Sequence, residues 1–149
     1  MAIPITEMDC REIIKQDVAG LCFERIHFDC NFTGSTFRQC VFQRCRLDGV
    51  RMAKSHWIES RFDGSKLVVS FDDSVFERCS FRDTRFHGLR GEYGGVRSRF
   101  IGCNFTDATL KSVNLRASKF ESCDFAGTRF FDCDLRGAIH DGQALENAA

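Results

Sequence analysis

The residues of this sequence best able to do chemistry are its cysteines, which number nine. Cys30, Cys40 and Cys45 lie within CNFTGSTFRQCVFQRCRLDG, where they alternate with phenylalanines. Thiols at this density can bind a soft metal ion, form disulfides or act as nucleophiles. A zinc site needs CxxC-type pairs or convergent Cys and His, and neither is recognisable in the sequence. We therefore expect no metal and no cofactor.

Other catalytic arrangements are equally hard to find. The four histidines, His27, His56, His87 and His140, are scattered, and none has a serine, cysteine or carboxylate in a recognisable arrangement. The sequence has no P-loop and no dinucleotide fingerprint. We expect a protein that is not an enzyme and has no catalytic residues.

Composition gives a broad class. A chain of 149 residues with 16 Phe suits one domain with a large core. Lys+Arg and Asp+Glu both total 21, so overall charge points to neither nucleic acid nor an acidic substrate. The opening MAIPITEMDCREIIKQ does not resemble a secretory signal, and no apolar run is long enough to span a membrane. We expect a cytoplasmic protein with reduced cysteines.

A five-residue period organises the chain. Large apolar residues, here called position i, recur in steps of five from Phe32 to Leu67, from Phe71 to Phe86 and from Phe100 to Leu135. These positions hold thirteen Phe, five Leu, one Met and one Trp. Position i−2 holds seven Cys, seven Ser, three Val, two Thr and one Ala. Neither column contains a charged residue.

This period predicts a coil of short strands. Residues i−2 and i point to the same side of an extended chain, and i−1 points outward. Because five is odd, an uninterrupted strand would turn alternate units inside out, so the chain must turn once per unit. Glycines such as Gly34, Gly49 and Gly64 gather at that turn. A helix would spread the Phe column around its circumference.

Units such as CNFTD, VNLRA and CDLRG resemble the A(D/N)LXX signature of the pentapeptide-repeat family. The resemblance implies an all-β fold, a right-handed quadrilateral parallel β-helix with four units per coil, roughly 25 Å long. We expect an N-terminal cap over 1–20, the β-helix over 21–138 and a tail over 139–149. Thr6 and Asp9 resemble a capping box and predict a short helix around 7–16.

The period also answers the question of the cysteines. Seven of them occupy position i−2, which they share with Ser, Thr, Val and Ala, residues of similar small volume. Free cysteine packs as a small apolar residue. Cys103 and Cys123 lie one coil apart, but stacked parallel side chains disfavour a disulfide. We expect these cysteines to fill space.

The largest departure from the repeat is HGLRGEYGGVR, residues 87–97. One interpretation is a degenerate coil with a bulge, in which Leu89 and Val96 still face inward. The other is a projecting loop that offers a partner a set of side chains, namely His87, Arg90, Glu92 and Tyr93. The sequence leaves both open. In the tail, Ile139 and Leu145 offer little apolar surface, so we expect a monomer or a weak dimer.

Function follows only in part. In its richness in Phe and Cys, the sequence is similar to the Qnr-type bacterial quinolone-resistance proteins and the MfpA type. That resemblance implies a protein partner, DNA gyrase or topoisomerase IV. DNA mimicry needs a strongly negative face, whereas residues 28–138 contain 14 acids and 18 bases. The alternative is a scaffold, an adaptor or a protein associated with a secreted effector. Interspersed acids and bases also argue against direct nucleic-acid binding.

Overall fold

The computed structural model describes residues 14–28, 30–89 and 92–145, apart from the side chain of Phe28. These residues form an all-β, parallel solenoid, which confirms the predicted fold class. The predicted N-terminal helix falls mostly on residues 7–13, outside the described residues, and residues 14–16 are not helical.

The strands are short, as a turn in every unit requires. In chain order they are β1 (Asp17–Ala19), β2 (Cys22–Glu24), β3 (His27–Phe28), β4 (Thr36–Arg38), β5 (Val41–Gln43), β6 (Arg46–Arg51), β7 (His56–Ile58), β8 (Lys66–Ser70), β9 (Val75–Glu77), β10 (Arg85–His87), β11 (Arg99–Ile101), β12 (Thr109–Lys111), β13 (Lys119–Glu121), β14 (Arg129–Phe131), β15 (Ile139–His140) and β16 (Gln143–Ala144). Parallel strands begin before residue 21, since β1 pairs with β4, and continue after residue 138, since β13 pairs with β15. Strand β16 closes the sheet by pairing antiparallel with β15.

Four faces surround the core, and each is named here by its stacked i residues. Face A, an eight-stranded sheet, stacks Phe37, Trp57, Phe76, Phe100 and Phe120. Face B, the β2–β5 pair continued by isolated bridges, stacks Phe23, Phe42, Phe62, Phe81, Phe105 and Phe125. Face C, a six-stranded sheet, stacks Leu47, Leu67, Phe86, Leu110 and Phe130. Face D, joined by isolated bridges, stacks Phe32, Met52, Phe71, Gly95, Leu115 and Leu135.

Two columns of aromatic rings fill the interior. On face A, the Phe76 and Phe100 rings stack with centroids 4.8 Å apart and 4° between their planes. On face B, the Phe62 and Phe81 rings stack at 5.2 Å and 2°. The two columns meet edge to face, as between Phe100 and Phe105 at 5.3 Å and 65°. Every described i residue from Phe32 to Leu135 is buried except Phe125, which is half-buried in the last coils. The prediction of a ring-filled core is confirmed.

The corners use a left-handed backbone conformation. Residue i+2 has a positive φ in most units. Gly34 and Gly64 adopt this conformation without steric cost, whereas Gln39 and Arg44 adopt it despite their side chains. The glycines that predicted corners in the sequence therefore mark only some of them.

Coil length is 20 residues over most of the solenoid, as between Cys40 and Ser60, and three coils differ from it. The first coil has 19 residues, so that Asp17 pairs with Thr36, and a later coil also has 19, so that Ser55 meets Ser74. The coil after that one has 24 residues, so that Asp73 meets Arg97. All three changes fall between the i residue of face C and that of face D.

Candidate interaction surface

The corner between faces C and D differs from the other corners in each of three successive coils. In the first, Gly49 is an unpaired extra residue, because Asp48 pairs with Val68 and Val50 pairs with Val69. In the second, strand β8 runs straight through the corner from Lys66 to Ser70, one residue short. In the third, the sequence has four residues more than a regular unit, an insertion at positions 89–92. We call the described residues of this region, 48–50, 68–69, 88–89 and 92–93, the irregular corner.

The insertion interrupts the coil, and the parallel pairing with the next coil resumes directly after it. The Gly88 N–H donates to the Lys111 carbonyl, and the Tyr93 N–H donates back to the Gly88 carbonyl at 2.9 Å. This last hydrogen bond closes the insertion at its base, so the chain re-enters the coil at the next repeat position. Gly94 then pairs with Asn114 in the ordinary parallel register.

Close backbone approach explains two of the four glycines here. A Cβ atom at Gly88 would lie 1.9 Å from the Ser112 carbonyl oxygen. At Gly94, whose φ is +153°, a Cβ would lie 2.4 Å from the Asn114 carbonyl oxygen. Real side chains cannot take these positions, so both glycines are structural.

Tyr93 covers the shortened corner. It stands at position i−2, where the preceding coil has Val69 and the following coil has Val113, and its side chain is only half-buried. A Cβ atom at Gly49 would lie 3.5 Å from the Tyr93 hydroxyl oxygen, although Gly49 is two coils away. The tyrosine therefore crosses the intervening coil at Val68 and Val69, which are both buried.

The predicted partner-binding residues differ in their exposure and contacts. His87 accepts a hydrogen bond on Nδ1 from the Leu89 N–H at 3.1 Å, which fixes the start of the insertion. Glu92 is exposed and Tyr93 is half-buried, while Arg90 lies outside the described residues. Leu89 is 43% exposed. The prediction that Leu89 faces inward is therefore wrong, whereas Val96, which the same interpretation turned inward, is half-buried.

Three residues missed by the sequence analysis complete the surface. Gly49, Arg51 and Ser70 line a recess together with Glu92 and Tyr93. The signal that could have found them is the four-residue step from Leu67 to Phe71, because a shortened unit leaves a gap that a neighbouring coil must cover.

Most of the thiols are buried and chemically quiet. Cys40, Cys45, Cys79 and Cys103 are free and buried, and burial raises the pKa of the Cys40 and Cys45 thiols. Among the described residues, no group of His, Cys, Asp or Glu is arranged to hold a metal ion. The prediction that the cysteines are reduced is wrong for Cys30, which is disulfide-bonded.

The histidines have structural or surface roles. His56 Nε2 lies 3.1 Å from Glu77 Oε2 on the surface of face A. His27 lies 3.7 Å from Asp48 on face C. Both residues stand at the outward i−1 positions that the repeat predicts. Within the described ranges, neither contact includes a serine or cysteine that it could activate.

Comparison with family patterns identifies the class. A pattern of pentapeptide repeats in nine copies matches residues 96–139, and a second, of eight copies, matches residues 28–55. Together with the four-faced parallel solenoid, these matches define a repeat protein whose unit is five residues. The chain belongs to the pentapeptide-repeat family.

Solved structures share this fold. Trypsin-treated QnrB1, a plasmid-mediated fluoroquinolone resistance protein, superposes with a TM-score of 0.56 at 18% identity, over 82% of this chain and 68% of QnrB1. Rfr23, a pentapeptide-repeat protein of the cyanobacterium Cyanothece 51142, gives 0.52 at 12% identity, over 88% of each chain. No curated protein sequence matches significantly. None of the described segments forms a helix long and apolar enough to cross a membrane.

Proposed function

We propose that this chain is a non-enzymatic protein-binding module that contacts its partner through the irregular corner. The observation that carries the proposal is the insertion itself. Between Gly88 and Tyr93 the sequence has four residues more than a regular unit, and the two ends of this insertion are joined by the Tyr93–Gly88 hydrogen bond. The fold does not need these residues, and an exposed Leu89 is among them. Loops of this kind, held on a rigid scaffold, are common binding elements.

The surroundings of the insertion support a rigid contact. Arg97 Nε and Nη2 donate to the two carboxylate oxygens of Asp73 at 2.8 and 3.0 Å, which joins the long coil to the short one. The Val96 N–H also donates to Asp72 at 2.9 Å. These contacts lie just after face D, at the next corner, and fix the coils that hold the insertion, so we expect a small entropic cost of binding.

A type II topoisomerase is the first partner to test, because QnrB1 has the same fold and is a fluoroquinolone resistance protein. The charge distribution does not favour DNA mimicry as the means. Several acids on the described parts of faces A and B are paired with bases, as in Glu59–Arg78 and Glu24–Arg44. A scaffold or adaptor with another protein partner is therefore the broader form of the proposal.

The test compares three purified, immobilised proteins. They are the wild type, a variant lacking residues 89–92, and a control with Gln43→Ala and Lys119→Ala on faces B and A. We expect the control to retain the wild type's set of captured bacterial proteins and the deletion variant to lose a defined member. Retention of every captured protein by a deletion variant with an unchanged circular dichroism spectrum would contradict the proposal.

Gyrase is tested separately. Supercoiling by purified gyrase is measured with and without a quinolone while each of the three proteins is added. A topoisomerase partner predicts that the wild type and control change the reaction and that the deletion variant does not. No effect of the wild type removes topoisomerase as the partner and leaves the adaptor form of the proposal.

A further inference from the structure

The register of face C brings basic residues into one line. Its outward i−1 positions pair successively from strand to strand, so their side chains form a column parallel to the solenoid axis: His27, Arg46, Lys66, Arg85, Thr109 and Arg129. In the column beside it, Lys111 lies between His87 and Phe131. We call Arg46, Lys66, Arg85, Lys111 and Arg129 the basic ladder.

Among the residues that the structure describes, most of the basic ladder has no acidic partner. Asp48 is the one carboxylate among the described residues of these two columns, and it lies within 3.8 Å of Arg46 and 3.7 Å of His27. Within the described part of the chain, Lys66, Arg85, Lys111 and Arg129 take part in no ion pair.

The other faces behave differently. On face A, Arg99 lies 3.4 Å from Glu121 in the next coil, and Arg78 lies 3.7 Å from Glu59. On face B, Arg44 lies 3.9 Å from Glu24 in the preceding coil. Ion pairs between coils thus occur on these faces, whereas face C places Arg46, Lys66 and Arg85 in three consecutive strands.

This arrangement is unfavourable for the isolated protein. Neighbouring strands are about 4.8 Å apart, and like charges directly opposite each other on a sheet destabilise it. The separation is shorter than the Debye length of about 8 Å at physiological salt, so screening is incomplete. Carboxylates supplied from outside would remove the repulsion.

We propose that the basic ladder binds a protein partner through a stripe of carboxylates on an α-helix laid along the solenoid axis. This inference rests on the proposed protein-binding function and names the chemistry of the partner. A helix advances about 5.4 Å per turn, close to the strand spacing, so one Asp or Glu per turn meets successive strands. Phe131, 45% exposed beside Lys111, adds an apolar contact at one end of the ladder.

A nucleic acid fits the molecule less well. Domains that bind nucleic acid usually carry a basic charge overall, which attracts the phosphate backbone from a distance. Here Lys+Arg and Asp+Glu both total 21, and among the described acids only Asp48 lies in the two columns of face C. Complementarity at short range is therefore available to an acidic helix, and long-range attraction of a duplex is weak.

The test uses defined probes. Fluorescence anisotropy measures the binding of a labelled helical peptide with one Glu per turn, the same peptide with Gln at those positions, and a labelled DNA duplex. The proteins are the wild type, the variant K66Q/R85Q/R129Q, and the face B control R44Q/R61Q/R82Q. Thermal melting of each variant is recorded alongside.

We expect the wild type to bind the Glu peptide at least about tenfold more tightly than the Gln peptide or the duplex. The basic-ladder variant should lose that preference while its melting temperature stays the same or rises, because a like-charge column has been removed. The face B control should bind as the wild type does. Equal binding by the basic-ladder variant, or tighter binding of the duplex, would overturn the inference.

The variant lacking residues 89–92 separates this inference from the proposed function. It retains the basic ladder and should bind the Glu peptide normally. A captured partner that depends on residues 89–92, without any binding of the Glu peptide, refutes the basic ladder and leaves the corner proposal standing. Binding of the Glu peptide, with no captured protein that depends on residues 89–92, supports the basic ladder and refutes the corner proposal.

Discussion

The ring of Phe71 occupies the space that a side chain at Gly95 would take in the following coil. A Cβ atom at Gly95 would lie 2.1 Å from the Cδ2 and Cε2 atoms of Phe71, which is buried. In the next two coils this column holds Leu115 and Leu135. One large residue and one glycine thus share a volume that two medium-sized residues would fill.

This sharing predicts strong coupling between the two positions. Gly95→Ala should lower the free energy of unfolding by about 1–3 kcal/mol, because the added methyl group overpacks the core. In the background Phe71→Leu, the same change should cost much less, since the smaller side chain leaves room. Urea unfolding of the four proteins in this cycle measures the coupling. Additive effects would mean that the ring and the glycine do not compete for one space.

The tryptophan side chain depends on a buried serine. Trp57 Nε1 donates to Ser55 Oγ at 2.8 Å, and Ser55 Oγ donates in turn to the Met52 carbonyl. Ser55→Ala should destabilise the protein by about 1–3 kcal/mol, because it leaves the buried indole N–H without its acceptor. Denaturant unfolding, followed by the fluorescence of the single tryptophan, measures this loss.

Ser118→Ala is the matched control for that change. Ser118 Oγ donates to the Gly95 carbonyl at 2.8 Å, but Ser98 Oγ donates to the same oxygen, so the carbonyl remains paired. The control should cost less than about 1 kcal/mol. A similar loss of stability from both substitutions would show that the indole hydrogen bond contributes no more to the free energy of unfolding than the Ser118 hydrogen bond does.

The ion pair between Asp73 and Arg97 predicts a pH dependence. The hydrogen bonds from Arg97 lower the pKa of Asp73 in the folded protein. The pair therefore stabilises the fold above the unfolded carboxyl pKa of about 3.9, and this contribution is lost as pH falls through the lower folded value. Asp73→Asn should destabilise by less than about 1 kcal/mol at pH 7, since both side chains are largely solvated.

The measurement is urea unfolding of the wild type and Asp73→Asn at pH 7, 4 and 3. The difference between them should shrink as the pH falls. A difference that stays constant or grows toward pH 3 would contradict this account of the Asp73 pKa.

The different burial of the cysteines predicts that their thiols differ strongly in reactivity. Cys22 is exposed, whereas Cys40 and Cys45 are buried and burial raises the pKa of their thiols. Iodoacetamide at pH 8 should label Cys22 in the native protein and reach Cys40 and Cys45 only in denaturant. Peptide mass spectrometry reads each site. Labelling of native Cys40 as fast as of Cys22 would refute the assignment of these cysteines to the core.

The sequence was sufficient for the architecture, because the five-residue period fixes which side chains face inward. Burial of Phe42, Phe81 and Phe120 follows from that period alone. The left-handed corners at Gln39 and Arg44 were not predictable in the same way, since the repeat imposes the conformation against the preference of the residue.

The surface was harder to predict because it depends on register between distant segments. The shortened step at Leu67–Phe71 and the insertion at 89–92 are separate irregularities in sequence and lie in one corner of the structure. The same holds for charge. Lys66 and Arg85 each have acidic residues nearby in sequence, which suggested intermixed charges, but the coil sends those acids to other faces.

The register across the insertion is the central claim, since both the irregular corner and the basic ladder depend on it. The structure places Arg85 beside Thr109, 24 positions later. In a Cys22→Ser background, a short thiol cross-linker should join the cysteines of Arg85→Cys/Thr109→Cys and fail with Arg85→Cys/Asn104→Cys, as read by mass spectrometry. Cross-linking of the 85–104 pair and not of the 85–109 pair would contradict the account.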